Sequence, residues 1–171
     1  MTAEPSTLYK LIILYMLKQV DFPLSTVQIT NFILDAQYTN FFQIQQTLTE
    51  IENDGFIRCE TTRNTTLCRL TPSGDETIRL FESDIAPSIR EEINNYCKKN
   101  NLALKDETSI TADYYYNGPK DYVARCCIRE NEQRLLDLSL SVPSEEEAEA
   151  ICSHWREHSQ EAYAYLFKLL L

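Results

Sequence analysis

The first third of the chain shows helical hydrophobic periodicity in blocks that short polar breaks separate. Residues 6–20 are apolar nearly all round a helix, so this helix must be covered on most sides. Ser25 with Gln28 forms a capping-box pattern that opens a second helix, and Asn40 with Gln43 repeats the start signal. The third helix has apolar positions at helical spacing and stops at a glycine: Phe41, Ile44, Leu48 and Ile51, then Gly55. The pattern therefore predicts three helices.

The apolar period then changes to two. Over residues 56–70, apolar and polar side chains alternate on either side of a Thr-Arg-Asn-Thr stretch. This pattern predicts a β-hairpin that turns at Arg63 and Asn64. Thr71 is the predicted N-cap of a fourth helix, with Pro72 at its first position.

The second half begins with a fifth helix that opens at Pro87 and runs to the Asn100-Asn101 pair. From about residue 104 the pattern becomes strand-like. Three antiparallel strands are predicted: residues 110–116, 122–129 and 135–142. Ser144 with Glu147 then caps a long final helix.

The order of these elements predicts an α+β protein with an N-terminal winged helix-turn-helix. A three-stranded antiparallel sheet with a long C-terminal helix follows it. We expect a DNA-binding-like domain over residues 1–82, a connecting helix over 83–102, and a small dimerisation or sensing domain over 103–171.

Three sequence stretches carry a family resemblance: Gln28-Ile29, the run from Leu48 to Ile57, and the run from Leu70 to Gly74. In these stretches the chain resembles the PadR and MarR types of winged-helix regulator. Over nearly its whole length it is similar to a bacterial winged-helix family catalogued only as a domain of unknown function. The resemblance implies a winged-helix fold and a regulatory role, with no known ligand.

In a winged helix the third helix enters the major groove and the hairpin touches the backbone. The predicted recognition helix spans 41–54 and the wing spans 56–70. Candidate base readers are polar residues of this helix and its cap: Asn40, Gln43, Gln46, Thr47, Thr49, Glu50 and Asn53. Glutamine can pair with adenine, and glutamate can accept from cytosine. Candidate phosphate contacts are the nearby basic residues: Lys10, Lys18, Arg58, Arg63 and Arg69.

The charge of the chain favours a second interpretation. Lys and Arg number 16 against 26 Asp and Glu, which gives a net charge of −10. Nucleic-acid binders usually present a basic footprint, and residues 41–54 contain no Lys or Arg. The alternative to sequence-specific DNA binding is therefore a winged-helix protein–protein interaction module.

No catalytic constellation emerges, so we expect no enzyme activity, cofactor or metal. His154 to His158 matches the H-x-x-E-H string of inverted zinc peptidases, but only 13 residues remain for the downstream glutamate ligand. Tyr114, Tyr115, Tyr116 and Tyr122 either line a pocket for an unknown small-molecule effector or are half-buried strand residues.

Six cysteines form no C-x-x-C pair and indicate neither a zinc knuckle nor a disulfide framework. Cys59 and Cys68 face each other if the hairpin forms, as a redox pair or as reduced core residues. Residues 11–17 form too short an apolar run for a membrane span, so we expect a cytoplasmic protein. The apolar run 166–171 and the apolar first helix favour a homodimer.

Overall fold

The structure, a computed structural model, describes residues 4–61, 65–130 and 133–171. The chain divides into two compact units, Met1–Lys105 and Asp106–Leu171. The described residues form six α-helices and two three-stranded antiparallel sheets, which confirms the predicted α+β class. None of the helices in these ranges combines the length and the apolar character that crossing a bilayer requires.

The first unit contains four helices, most of a fifth and a small sheet. Its elements are α1 (Pro5–Lys18), β1 (Leu24–Ser25), α2 (Thr26–Asp35), α3 (Phe41–Asn53), β2 (Ile57–Thr61), β3 (Thr66–Leu70), α4 (Pro72–Phe81), a 3₁₀ turn (Glu82–Asp84) and α5 (Pro87–Ser109). The strand order is β1-β3-β2. β1 was not predicted, because two residues are too short to show a periodic pattern.

Helix α1 is the centre of the first unit. Every residue from Leu11 to Leu17 is buried, so the helix is covered on all sides, as its sequence predicts. Lys10 and Lys18 bracket this segment at the surface. The same core contains fully buried isoleucines from the rest of the first unit: Ile29, Ile33, Ile44, Ile51, Ile78, Ile85 and Ile93.

Two helix ends share one geometry. At the end of α3, Gly55 has a φ of 78°, its N–H donates to the Glu52 carbonyl at 3.0 Å, and the Phe56 N–H donates to the Ile51 carbonyl at 3.0 Å. This is a Schellman motif. The end of α2 repeats it with Gln37, whose φ is 58°, in the place that glycine usually takes.

The start of α4 packs closely on the end of α3. The Thr71 hydroxyl accepts from the Gly74 N–H at 3.0 Å and donates to the Gly55 carbonyl at 2.7 Å. A Cβ atom added at Gly74 would lie 2.0 Å from the Phe56 carbonyl oxygen. The Thr-Pro-Ser-Gly run therefore needs its glycine for close backbone approach.

Helix α5 is longer than its sequence pattern predicted. The strand-like pattern from residue 104 was misread, because α5 continues to Ser109 and β4 begins at Ile110. Leu104 is buried in the core, and its carbonyl accepts from Gln28 Nε2 at 3.1 Å. These tertiary contacts hold the last turns of α5 in helical form.

The second unit contains β4 (Ile110–Gly118), β5 (Asp121–Glu130), β6 (Gln133–Val142) and α6 (Glu145–Leu170), with strand order β4-β5-β6. Ser144 caps α6 by accepting from the Glu147 N–H at 3.2 Å, as predicted. The Trp155 indole donates to the Cys127 carbonyl at 3.3 Å, which ties α6 to the middle strand.

Candidate nucleic-acid interface

The start of α2 and the turn that joins α2 to α3 are set by side-chain caps. Ser25 Oγ accepts from the Gln28 N–H at 3.0 Å, and Gln28 Oε1 accepts from the Ser25 N–H at 2.9 Å. Asn40 Oδ1 accepts from the Gln43 N–H at 2.9 Å and caps α3. Both predicted helix starts are confirmed. The exposed Asn40 uses its acceptor in this cap, so its amide NH₂ is the group left for a base edge.

The buried face of α3 differs from the predicted one. Ile44, Thr47, Leu48 and Ile51 are buried, whereas Phe41 is 59% exposed. The inward stripe thus begins at Ile44 and includes Thr47, which retains only 4% exposure and donates to the Gln43 carbonyl at 2.7 Å. Thr47 cannot reach a base, which corrects its inclusion among the candidate readers.

The remaining polar residues of α3 line its outer face. Gln46, Thr49 and Asn53 are exposed, and Gln43 is half-buried. Gln46 Nε2 donates to Glu50 Oε1 at 3.0 Å, and Thr49 Oγ1 donates to the Gln45 carbonyl at 3.0 Å. This face offers amide and hydroxyl groups, the chemistry that reads base edges.

Lys10 and Glu50, two of the predicted DNA contacts, bind each other. Lys10 Nζ lies 3.0 Å from Glu50 Oε2 and 3.4 Å from Asp54 Oδ2. The hydrogen bond from Lys10 lowers the pKa of Glu50, and the same bond raises the pKa of Lys10. Glu50 is therefore held as an ion, with one carboxylate oxygen engaged by Lys10.

Lys18 is paired as well. Its Nζ lies 2.7 Å from Glu82 Oε2 in the 3₁₀ turn, and this hydrogen bond lowers the pKa of Glu82. Lys18 thus joins the end of α1 to the segment after α4. The ion pair occupies Lys18 within the first unit and weakens its candidacy as a phosphate contact.

The β2–β3 hairpin brings two predicted arginines together. Arg58 and Arg69 are directly opposite each other across the two strands, so their side chains leave the same face of the sheet. Arg58 is exposed and forms no ion pair with a described residue. Arg63, the third predicted contact of the hairpin, lies outside the described residues.

A comparison with protein families assigns this chain to a family. The model of a family described as a domain of unknown function, DUF4364, matches residues 9–170. The chain belongs to the DUF4364 family. This confirms the predicted similarity to a family catalogued as a domain of unknown function, whereas the likeness to PadR and MarR regulators stays a prediction. No curated protein and no solved structure matches this DUF4364 chain.

Sequence reasoning missed one surface feature of this DUF4364 protein. Phe41 and Phe42, in the first turn of α3, are 59% and 73% exposed. The signal was present in the sequence, because Phe42 does not fit the inward stripe of the helix. The exposed start of α3 is therefore aromatic as well as polar.

The second unit of the DUF4364 protein offers no metal centre in its described residues. His154 and His158 share one face of α6 with ring centroids 6.5 Å apart, and His158 Nδ1 lies 3.5 Å from Glu161 Oε2. No group of three potential ligands forms among the residues that the structure describes. Tyr114 donates to Glu145 at 3.2 Å, a contact between β4 and α6 that accounts for one of the four candidate tyrosines.

Proposed function

We propose that this DUF4364 protein is a homodimeric transcription regulator that binds double-stranded DNA in the manner of a winged helix. In the proposal α3 enters the major groove and the β2–β3 hairpin lies on the phosphate backbone. The observation that carries it is the Arg58–Arg69 pair. The pair places two guanidinium groups on one face of the hairpin, and guanidinium groups form charge-assisted hydrogen bonds with phosphate oxygens.

The order of elements supports the proposal. A helix, a turn and a second helix are followed at once by a two-stranded hairpin, and β1 completes the sheet beside β3. Helix-turn-helix proteins place the second helix of the pair in the major groove, with its N-terminal residues on base edges. In this chain that position belongs to the first turns of α3.

The side chains of α3 suit base reading without a basic residue. Gln46 and Asn53 can pair with adenine, and Thr49 can contact a base edge or a phosphate. The exposed rings of Phe41 and Phe42 suit the methyl group of thymine. Sequence preference is thus assigned to α3, and affinity to the hairpin.

The apolar end of α6 supports the proposed dimer. The last turns of the helix and the residue after it carry five exposed apolar side chains: Tyr165, Phe167, Leu169, Leu170 and Leu171. Such a surface favours burial against a second copy. Two copies supply Arg58 and Arg69 twice, and about four phosphate contacts predict a slope of about −3.6 for log K against log salt.

The test is fluorescence anisotropy with a duplex from the DNA upstream of the protein's own coding sequence and a scrambled duplex. Both are titrated at several salt concentrations. Arg58→Ala should weaken binding to both duplexes and reduce the salt slope, by about 2 for a dimer. Gln46→Ala should instead narrow the difference between the two duplexes. Light scattering of the free protein measures the dimer.

Arg79→Ala is the matched control. Arg79 is exposed on α4 and pairs with Asp75 at 2.8 Å, so its removal changes the net charge equally but leaves the hairpin intact. The proposal fails if Arg79→Ala and Arg58→Ala have the same effect, or if the wild type does not bind either duplex at low salt.

A second candidate function is a protein–protein interaction module, and one observation favours it. Exposed phenylalanines such as Phe41 and Phe42 are frequent anchors of protein interfaces, and a net charge of −10 suits a basic partner. One experiment distinguishes the two functions. Phe42→Ser should reduce DNA affinity in the first case, whereas DNA binding is absent from the wild type in the second.

A further inference from the structure

Cys59 and Cys68 face each other across β2 and β3. The Thr71 N–H donates to the Phe56 carbonyl at 3.1 Å, which makes Phe56 and Thr71 a hydrogen-bonded pair in the same register. Hydrogen-bonded and non-hydrogen-bonded pairs alternate along an antiparallel ladder. Cys59 on β2 lies three residues after Phe56, so Cys59 and Cys68 form a non-hydrogen-bonded pair. In this type of pair the facing side chains are closest.

This position suits a disulfide. The Cα atoms of such a pair are about 4.5 Å apart, within the range of roughly 4.4–6.8 Å that disulfides span. The Cys68 thiol is close enough to Cys59 to lower its pKa. Thr61 and Thr66, two steps along in the same phase, have hydroxyl oxygens 3.1 Å apart, which shows how closely these strands bring facing side chains.

The two thiols differ in environment. Cys59 is half-buried, so a small solute can reach it, whereas Cys68 is fully buried in the core of the first unit. The hydrogen bond from Cys68 lowers the pKa of Cys59, while that bond and burial raise the pKa of Cys68. Cys59 is thus the thiol that ionises first.

We propose that Cys59 and Cys68 are a redox-active dithiol that a peroxide oxidises to a disulfide across the β2–β3 hairpin. The inference does not depend on what the hairpin binds. It assigns Cys59 as the attacking thiol and Cys68 as the resolving thiol.

The oxidation has two steps. The Cys59 thiolate attacks one peroxide oxygen, the O–O bond breaks, and the hydroxide that leaves takes a proton to become water. Cys59 then carries a sulfenic acid. The Cys68 sulfur gives up its proton and attacks the Cys59 sulfur, which releases a second water. In sum two thiols lose two electrons and two protons, and hydrogen peroxide becomes two waters.

None of the other four cysteines faces a thiol across a pair of strands. Cys97 and Cys126 are buried, and Cys152 lies on α6. Cys127 is half-buried like Cys59, but it is opposite Thr111 on one side and Asp137 on the other. Burial and the nearby Asp137 raise the pKa of Cys127. Cys127 is therefore a matched control, because it is as accessible as Cys59 but has no thiol opposite it.

The test is a peptide map of the full-length protein, reduced first and then treated with about one equivalent of hydrogen peroxide. Free thiols are alkylated, and trypsin is added without reductant. Trypsin cuts after Arg58, Arg63 and Arg69, so the two cysteines fall in separate peptides, 59–63 and 64–69. A disulfide joins them into one species that is lighter by two hydrogens than their sum.

We expect this joined species to become the main form of both peptides in the wild type and in Cys127→Ser. Cys59→Ser should abolish it. In Cys68→Ala, Cys59 should stop at the sulfenic acid, which dimedone traps. The inference is overturned if the wild type leaves both peptides reduced, or oxidises Cys59 to sulfinic acid without joining them. The wild-type map decides the matter even if a variant does not fold.

Discussion

Lys10 Nζ on α1 lies 3.0 Å from Glu50 Oε2 on α3 and 3.4 Å from Asp54 Oδ2 at the end of that helix. The contact ties the central helix of the first unit to the helix that we propose enters the major groove. It also changes the charge balance of that helix. One acidic group is partly neutralised by a lysine that would otherwise be available to DNA.

Glu50→Gln should therefore strengthen DNA binding. The change removes an anion from the helix that we propose enters the major groove, where the phosphates on both sides repel it, and it leaves Lys10 less engaged. We expect affinity for any duplex to rise about two- to fivefold at 50 mM salt, and the gain to shrink as salt rises. Glu76→Gln on α4 makes the same charge change at an exposed position and serves as the control in the anisotropy titration. An equal gain in both variants would contradict the placement of α3 against DNA.

Gly74→Ala should destabilise the first unit. Its Cβ would lie 2.0 Å from the Phe56 carbonyl oxygen, so backbone has to move. We expect a loss of about 3 kcal/mol or more in the free energy of unfolding, measured by urea titration. Ser73→Ala, an exposed change in the same turn, should stay within about 0.5 kcal/mol. Similar losses in the two variants would show that the close contact is not the cause.

Gln37→Gly should stabilise the turn between α2 and α3. Gln37 has a φ of 58°, and this region costs a residue with a side chain about 1–2 kcal/mol. Glycine also raises the conformational entropy of the unfolded chain, which offsets part of the gain. We therefore expect the free energy of unfolding to rise by about 0.5–1 kcal/mol in urea titrations. Ala36→Gly, one residue earlier with a φ of −74°, should destabilise by a similar amount. A shift of the same sign in both variants would refute the explanation.

The stability of the first unit should fall above pH 9. Burial raises the pKa of Cys97 to about 11. Its ordinary value is about 8.5, so the unfolded chain releases the thiol proton first. The folded state keeps it until the pH passes about 11. The contribution of Cys97 to the free energy of unfolding is thus fully present below pH 8.5. It is lost between pH 8.5 and pH 11, and the total loss is about 3 kcal/mol.

Urea titrations from pH 7 to 11 in reductant measure this loss. Cys97→Ala lowers stability at every pH by emptying a buried site, but its stability should decline less steeply above pH 9 than that of the wild type. Parallel curves for the two proteins would mean that Cys97 does not titrate on unfolding.

Local signals in the sequence were sufficient for most of the elements. The caps at Ser25, Asn40, Thr71 and Ser144 were predicted and are confirmed, because a cap joins a side chain to a backbone N–H only three residues away. The hairpin was predicted from its period of two, and the cysteines of its strands do face each other. Each of these features depends on residues close together in the chain.

The long-range contacts were decided by the tertiary structure alone. The ion pair of Lys10 with Glu50 joins residues 40 positions apart, and the bond from Gln28 to Leu104 spans 76. Thr47 is polar in sequence yet buried, since packing on α1 sets the rotation of α3. The sequence alone thus determined where most helices and strands begin and which class of fold they make. Which polar groups stay available for a partner depended on atoms brought together by folding, because charges and hydrogen-bond donors choose partners by distance in space.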